Sequence, residues 1–513
     1  MNRITRILTL CTLLVGGVMI SHAQDSLLVD GELTHAEKAD TLMVMESGSV
    51  NFIDSLLAEV TKPRPWIALA EATSVNLIVH SFDRFVMNKD YAKTSVKSGI
   101  DNIKNGFVWD NDRFSCNLFS HPYHGNLYFN SARENGLNFW QSIGYPFIGS
   151  LQWEFFGETE PPAINDLIAT TFGGICIGEV LHRVSNTVLD DSRSGSDRFW
   201  REALAFVLNP VKGVNRIATG KAWRVRHNHN LYHNPHRNPI DFSITTGWRH
   251  ISDNEDLMTG DDMTFVNMYM EYGDVMNRGE YNQPYDYFNV EATFAIHDNQ
   301  PLINHINILG RLWSTPLLYG RKCEMEFGIY QHFDYYDSEA VKGGSEVTPY
   351  RISEAASFGV GSVLQFPTKG IVQHFEQRFY ANTVLLGGTK SDYFNVLKRD
   401  YNMGNGFSLK AKTHLELRNF GRFILNSRFY KLYTWKGYEG KDLETCNPLF
   451  VNSQGDKGSV RLLVVNPIIE INISPKYSFS AQGMCFYRHS CYKYFPHIRT
   501  HAYDLRMGFT CHL

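Results

Sequence analysis

From Asp241 to the C-terminus apolar and polar residues alternate with a period of two, which dictates extended strands with one apolar and one polar face. Phe288, Val290, Ala292, Phe294 and Ile296 alternate with Asn289, Glu291, Thr293, Ala295 and His297. Phe407, Leu409, Ala411, Leu415 and Leu417 alternate with Ser408, Lys410, Lys412, His414, Glu416 and Arg418. Met325, Phe327, Ile329, Phe333 and Tyr335 stand likewise against Glu324, Glu326, Tyr330, His332 and Asp334. About 12 such segments of roughly 10–15 residues follow one another, the length at which a tilted strand crosses a bilayer. A soluble sandwich has shorter strands and turns its polar face to water. Here the polar face carries dense charge of both signs, including Glu291, Glu326, His374, Glu376, Arg378, Lys410, Lys412, Glu416 and Arg418, as expected of a lumen filled by pairs across it.

The connections agree with a barrel. Ser474-Pro475-Lys476, Asn419-Phe420-Gly421-Arg422 and Phe366-Pro367-Thr368-Lys369-Gly370 are tight, with long polar loops at about 388–402 and 437–456 between them. Short turns alternating with long loops is the outer-membrane pattern, short on the periplasmic side. The stretch Gly273 to Pro284 is long where a short turn is due. In the last strand Tyr503, Leu505, Met507, Phe509, Cys511 and Leu513 share one face, which resembles the C-terminal recognition signal of outer-membrane barrels, with Leu513 where that signal usually ends in Phe or Trp. An even strand number puts both barrel ends in the periplasm.

Export is written at the other end. Met1-Asn2-Arg3 with Arg6, the apolar run Ile7 to Ile20 and Ser21-His22-Ala23 read as a signal peptide cleaved after Ala23. No later window is apolar for 18 residues, so helical spans are not expected; the best, Leu167 to Leu181, is cut by Thr170, Thr171, three glycines and Glu179. Aromatic residues make up 13% of the chain, enough for interfacial girdles. With 49 basic and 53 acidic residues the net charge of -4 gives no footing for nucleic acid. The 8 cysteines, one of them in the signal peptide, are scattered without a Cys-x-x-Cys, so neither a disulfide framework nor a zinc ribbon is read.

Between the ends the period becomes helical. Trp66 to Gly106, Gly125 to Ile143, Phe147 to Gly157, Ala163 to Leu189, Ser196 to Leu208 and Val211 to Thr219 read as helices, with Pro122, Pro146, Pro161-Pro162 and Pro210 at their starts. The expected organisation is a signal peptide (1–23), a leader (24–65), an all-α domain (66–220), a His/Asn-rich linker (221–240) and a transmembrane antiparallel barrel (241–513), an α+β multidomain chain.

The helical domain carries the candidate chemistry. Glu154 and Glu158, four apart, are read on one helix face, and with His121, His124 and Asp166 form a candidate acid–base or metal-holding cluster, or a hydrogen-bond network between helices. Asn165 or Asp166 is expected to cap its helix. Gly174 and Gly178 should admit a close neighbouring backbone, and Glu179 should pair with Arg183. His227, His229 and His233, with His236, are a weaker metal candidate in the linker. No cofactor is called for, and no Gly-x-Ser-x-Gly marks a nucleophile.

One further pattern runs through this region: Phe107-Val108-Trp109-Asp110-Asn111-Asp112, Asn117, His121-Pro122-Tyr123-His124-Gly125, Tyr128, Ala132-Arg133, Gly136, Ser142, Gly149-Ser150, Trp153-Glu154, Glu158, Pro162, Asn165-Asp166, Gly173-Gly174 and Gly178-Glu179. Over about Val108 to Leu189 it resembles an uncharacterised envelope family catalogued as domain of unknown function 3943, with Ala163 where the family pattern has Ser. The resemblance implies a Gram-negative envelope protein of the Bacteroides type and transfers no activity. The sequence thus describes an integral outer-membrane barrel with a helical domain that docks beneath it or plugs its lumen, in a structural or transport role. The alternative is an enzyme modifying envelope lipid or glycan. Its partners would be outer-membrane lipid and the barrel-assembly machinery.

Overall fold

The computed structural model describes residues 62–225, 238–253, 257–276, 282–344, 348–397, 399–439, 441–443 and 445–513. Helix α1 (Pro65–Ser81) runs on into a π-helical turn (Phe82–Val86), and α2 is Val96–Asn105. A second π-turn (Cys116–Ser120) leads into α3 (His121–Glu134), followed by the short α4 (Phe139–Ser142) and α5 (Gly144–Gln152) with its own π-turn (Trp153–Gly157). Then come the long α6 (Ile164–Val188), α7 (Gly195–Leu208) and α8 (Pro210–Ala218). The helix expected from Gly125 to Ile143 breaks at Gly136, whose φ of 81° is a left-handed conformation that a helix cannot continue through.

The strands are β1 (Ile240–Ser252), β2 (Asp261–Tyr272), β3 (Phe288–Ile296), β4 (Ile303–Gly320), β5 (Cys323–Asp337) and β6 (Arg351–Gln365). They continue as β7 (Val372–Lys390), β8 (Tyr401–Leu417), β9 (Gly421–Thr434), β10 (Gly458–Asn472), β11 (Tyr477–Tyr492) and β12 (Ile498–His512). Each pairs antiparallel with its neighbours, and β1 pairs with β12 to close a twelve-stranded barrel. One rim carries short turns at 321–322, 366–371, 418–420 and 473–476; the other carries longer loops such as 391–400 and 435–457. The connection 273–287 is the long exception on the turn rim.

The polar faces point inward and their side chains meet across the barrel. Arg378 on β7 reaches Glu271 on β2 at 2.7 Å, and Lys412 on β8 reaches Tyr269 on β2 at 3.1 Å. Tyr430 on β9 donates to Asp334 on β5 at 2.6 Å, and Arg506 on β12 to Thr293 on β3 at 3.0 Å. Lys410 sits between Asp334 and Glu354, at 2.6 and 2.7 Å. Toward the loop rim apolar side chains join the filling, with Tyr336, Tyr350, Leu432, Leu462 and Phe486 buried together beside the buried ion pair of Arg249 and Asp504 at 2.8 Å. Arg378, Lys410 and Arg506, taken from water, are tolerated here because each finds a counter-charge.

The helices meet the opposite face of the strands. On β5, His332 and Asp334 belong to the lumen, so alternation turns Gln331, Phe333 and Tyr335 outward. Phe333 and Tyr335 are nevertheless buried, in one apolar cluster with Phe114, Leu118, Phe129, Phe139, Ile175 and Cys176 of the helical part. Phe242, Met270, Phe288 and Ile308, outward on β1 to β4, join the same cluster. Elsewhere outward residues are bare: Phe379, Leu409, Leu463, Met507 and Phe509 are all exposed. The placements expected from the sequence, beneath the barrel or inside its lumen, do not match these contacts.

Helix α6 sets the geometry. Its start is tied to the loop rim and its end to the turn rim, where Arg183 donates to the Pro284 carbonyl at 2.7 Å. In between, the Gln331 amide donates to the Phe172 carbonyl at 2.9 Å and Phe172 packs edge-on against Phe358 at 5.3 Å. At 25 residues α6 is about 37 Å long and apolar enough to cross a membrane. Helix α3 lies against it through facing glycines: a Cβ on Gly125 would come within 1.9 Å of the Thr170 carbonyl oxygen, and one on Gly178 within 2.8 Å of the Phe129 ring.

Candidate functional site

The candidate site lies where the helical part meets the loop rim. Val108 and Ala163 form a two-residue parallel bridge, with Val108 N–H donating to Pro162 O at 2.8 Å and Ile164 N–H to Val108 O at 2.9 Å. That bridge brings the acidic run Asp110 to Asp112 beside the first turn of α6. Asn165 is the hub: its amide donates to Asp110 Oδ1 and Asp166 Oδ1, both at 2.7 Å, and its own Oδ1 accepts from the Asp110 backbone at 3.2 Å. Asn117 donates to the same Asp110 oxygen at 2.6 Å and to the Tyr401 hydroxyl at 2.8 Å.

The barrel completes the site from its loops. Arg399, between β7 and β8, donates to the Asp110 carbonyl at 2.6 Å and the Ser453 carbonyl at 2.8 Å. Asn452 Oδ1 accepts from Trp109 N–H at 3.0 Å, and Asn111 donates to the Pro448 carbonyl at 2.6 Å. Trp109 to Asp112 is thus a strap laced to two loops.

The sequence candidates are near one another but do not form one constellation. His121 Nε2 stands 3.6 Å from Asp166 Oδ2, beyond hydrogen-bond length. His124 turns away, 3.0 Å from the Tyr128 hydroxyl and edge-on to Trp153 at 5.3 Å. Glu154 is buried and accepts the Ala163 N–H at 2.7 Å. Ala163 is the N-cap of α6 and its methyl group can accept nothing, so no side chain caps the helix, neither Asn165 nor Asp166 takes the capping role expected of it, and Glu154 satisfies only the N–H of the cap residue itself. Glu158 is not on a helix face with Glu154, since the π-turn ends at Gly157 and Glu158 is extended; Asn102 ties the two together, donating to the Glu158 carbonyl at 2.9 Å and the Glu154 carbonyl at 3.4 Å.

Electrostatically the site is a crowd of carboxylates. Burial, then the neighbouring Asp112, push the Asp110 carboxyl up to about 6. Burial and the adjoining Glu154 and Glu160 push the Glu158 carboxyl up as well. Cys116 Sγ lies 3.4 Å from Asp112 Oδ2, and ligand atoms of Asp112, Cys116 and His121 fall within 4.8 Å of one another, a set able to hold a cation. His227, His229 and His233 lie outside the described residues. Sequence reasoning gave no role to Asp110, Asn117, Arg399 or Tyr401. The two acidic residues flanking Asn111 are a local signal, but nothing local marks Arg399, nearly three hundred residues on.

Farther along α6 a second polar knot holds the helices. Glu179, fully buried, takes Arg133 and Arg183, each at 2.8 Å. The expected partner Arg183 is there, together with Arg133 from α3.

Residues 106–211 match the family described as Domain of unknown function (DUF3943). No curated protein matches the chain. Among solved structures, the NanC porin is 9% identical, with 53% of this chain and 98% of that one covered and a TM-score of 0.23. The transport unit of the autotransporter AIDA-I from Escherichia coli is 9% identical, with 53% and 89% covered and a TM-score of 0.21. The outer membrane channel DcaP of Acinetobacter baumannii is 8% identical, with 54% and 97% covered and a TM-score of 0.20. Scores this low carry no argument about function.

Proposed function

We propose that this protein is an integral barrel of the Gram-negative outer membrane with a structural role: a sealed barrel that holds a helical flank in the lipid phase beside it. The short turns face the periplasm and the long loops the cell exterior. The observation that carries the reading is the position of α6, which runs rim to rim along outward-facing residues that a bilayer would otherwise touch. The remaining helix surface is apolar in the same sense, with Trp66, Leu77, Ile78, Phe85, Phe156 and Val207 all exposed. Water would penalise such a surface and hydrocarbon would not.

Transport by diffusion through the lumen is disfavoured, because opposite walls are joined by direct hydrogen bonds. In planar bilayers the purified protein should give no single-channel steps, and porin-sized steps would refute the sealed barrel. A second reading, an enzyme acting on envelope lipid or glycan through His121, His124, Glu154, Glu158 and Asp166, is favoured by one observation, the raised Asp110 and Glu158 carboxyls at the rim. For that reading Glu154→Gln should fold normally and change the envelope lipid profile; an unchanged profile removes it.

A further inference from the structure

Inside the barrel, close to the turn rim, His374 and Glu376 on β7 and His414 on β8 share the inward face. Glu376 and His414 are paired directly across the two strands, and His374 is two residues from Glu376, so strand alternation puts all three side chains on one side. One ligand atom from each lies within 4.8 Å of the other two. His374 Nε2 is 3.7 Å from Glu376 Oε2, and the imidazole rings stand 4.9 Å apart at 57°. His414 Nε2 is buried and, among the described residues, has no hydrogen-bond partner. A buried imidazole nitrogen left without a partner calls for a ligand that the protein itself does not supply.

We propose that His374, Glu376 and His414 bind a divalent transition-metal ion of the zinc class. Metal bonds of about 2.0–2.2 Å set tetrahedral ligand atoms about 3.3 Å apart, so this triangle closes on an ion through side-chain rotations of about 1 Å. Two imidazoles and one carboxylate would leave a tetrahedral ion one further position for water, and the His374 side chain, 33% exposed, makes the site reachable from solvent. The carboxylate is already oriented: Gln365 on β6 donates to Glu376 Oε2 at 3.1 Å, and Arg378 holds Oε1. Nearby cations oppose a metal: Arg422 is paired with Glu470 at 2.7 Å and Arg378 also with Glu271, whereas Lys412, two residues from His414 on the same face, donates to the Tyr269 hydroxyl at 3.1 Å and is the cation the ion must tolerate. The site is separate from the loop-rim cluster, at the other end of the barrel and inside it.

The experiment uses the full chain in detergent, carrying His227→Ala, His229→Ala, His233→Ala and His236→Ala together with Cys116→Ala, so that neither the linker nor the set Asp112, Cys116 and His121 binds the probe. With Co²⁺ as the spectroscopic probe and Zn²⁺ as competitor, one equivalent should bind with d–d absorption and be displaced by Zn²⁺. His374→Ala and His414→Ala should each abolish that equivalent, while His489→Ala on the loop-rim half of β11 should leave it intact. Gln365→Ala, a positioning change, should weaken binding about tenfold. Heat-modifiable mobility on gels reports folding independently of metal. Absence of cobalt binding in the folded linker variant overturns the proposal, as does binding that survives both histidine substitutions.

Discussion

Glu179 has no exposure and faces two guanidiniums, so removing its charge leaves Arg133 and Arg183 buried against each other. Glu179→Gln should cost about 3 kcal/mol, read as a lowered midpoint of chemical unfolding in detergent. Asp110 behaves oppositely with pH. Its carboxyl is raised from 3.8 to about 6, so the stability it contributes is complete below 3.8 and is lost as pH rises through about 6. Acidifying from pH 7 to pH 5 should therefore raise the protection factors of the strap Trp109 to Asp112, that is, slow its hydrogen exchange beyond the fall of the intrinsic base-catalysed rate, and Asp110→Asn should abolish that rise in protection. Protection factors equally pH-sensitive in the variant would show that another group is responsible. Glu179–Arg183 was legible because helix partners four apart are local; Arg133 and Asp110's partner Arg399 were not, because tertiary packing alone brings them in.

At the scale of elements, α6 is held by a glycine seam on one side and by the barrel wall on the other. Gly125→Ala forces a methyl into the Thr170 carbonyl and should destabilise the α3–α6 pair by about 1–3 kcal/mol, measured by differential proteolysis of the helical part. Gln331 is a polar residue on an otherwise apolar outer face, and its alternation position looks like an error until Phe172 O is found opposite it. Gln331→Leu should loosen α6 by about 1–3 kcal/mol by orphaning that carbonyl, with hydrogen exchange rising around Phe172 while the strands keep their protection. Helix positions were legible from period and proline, but the π-turns were not, since the same residues read as plain helix until the packing around each turn is known.

At the scale of the whole molecule, the helical layer should shield one side of the barrel from lipid. After the seven free cysteines of the described chain are replaced by alanine, a cysteine at Phe379 should react with a membrane-soluble maleimide and one at Phe333 should not. Equal labelling at both would show that the helices do not cover the wall. A barrel of about twelve strands is determined by the sequence, because a period of two with charge on one face and apolar residues on the other has few folded solutions and closure satisfies every strand edge, while the exact number twelve is read from the structure. The His, Glu and Asp residues of the helical part are equally visible there as types. What only the tertiary structure decided is where the helices lie and what those residues meet. Outward Phe333 and Tyr335 read the same whether lipid or a helix covers them, since both are apolar surroundings, and burial against α3 and α6 exists only once the chain has folded back across the barrel.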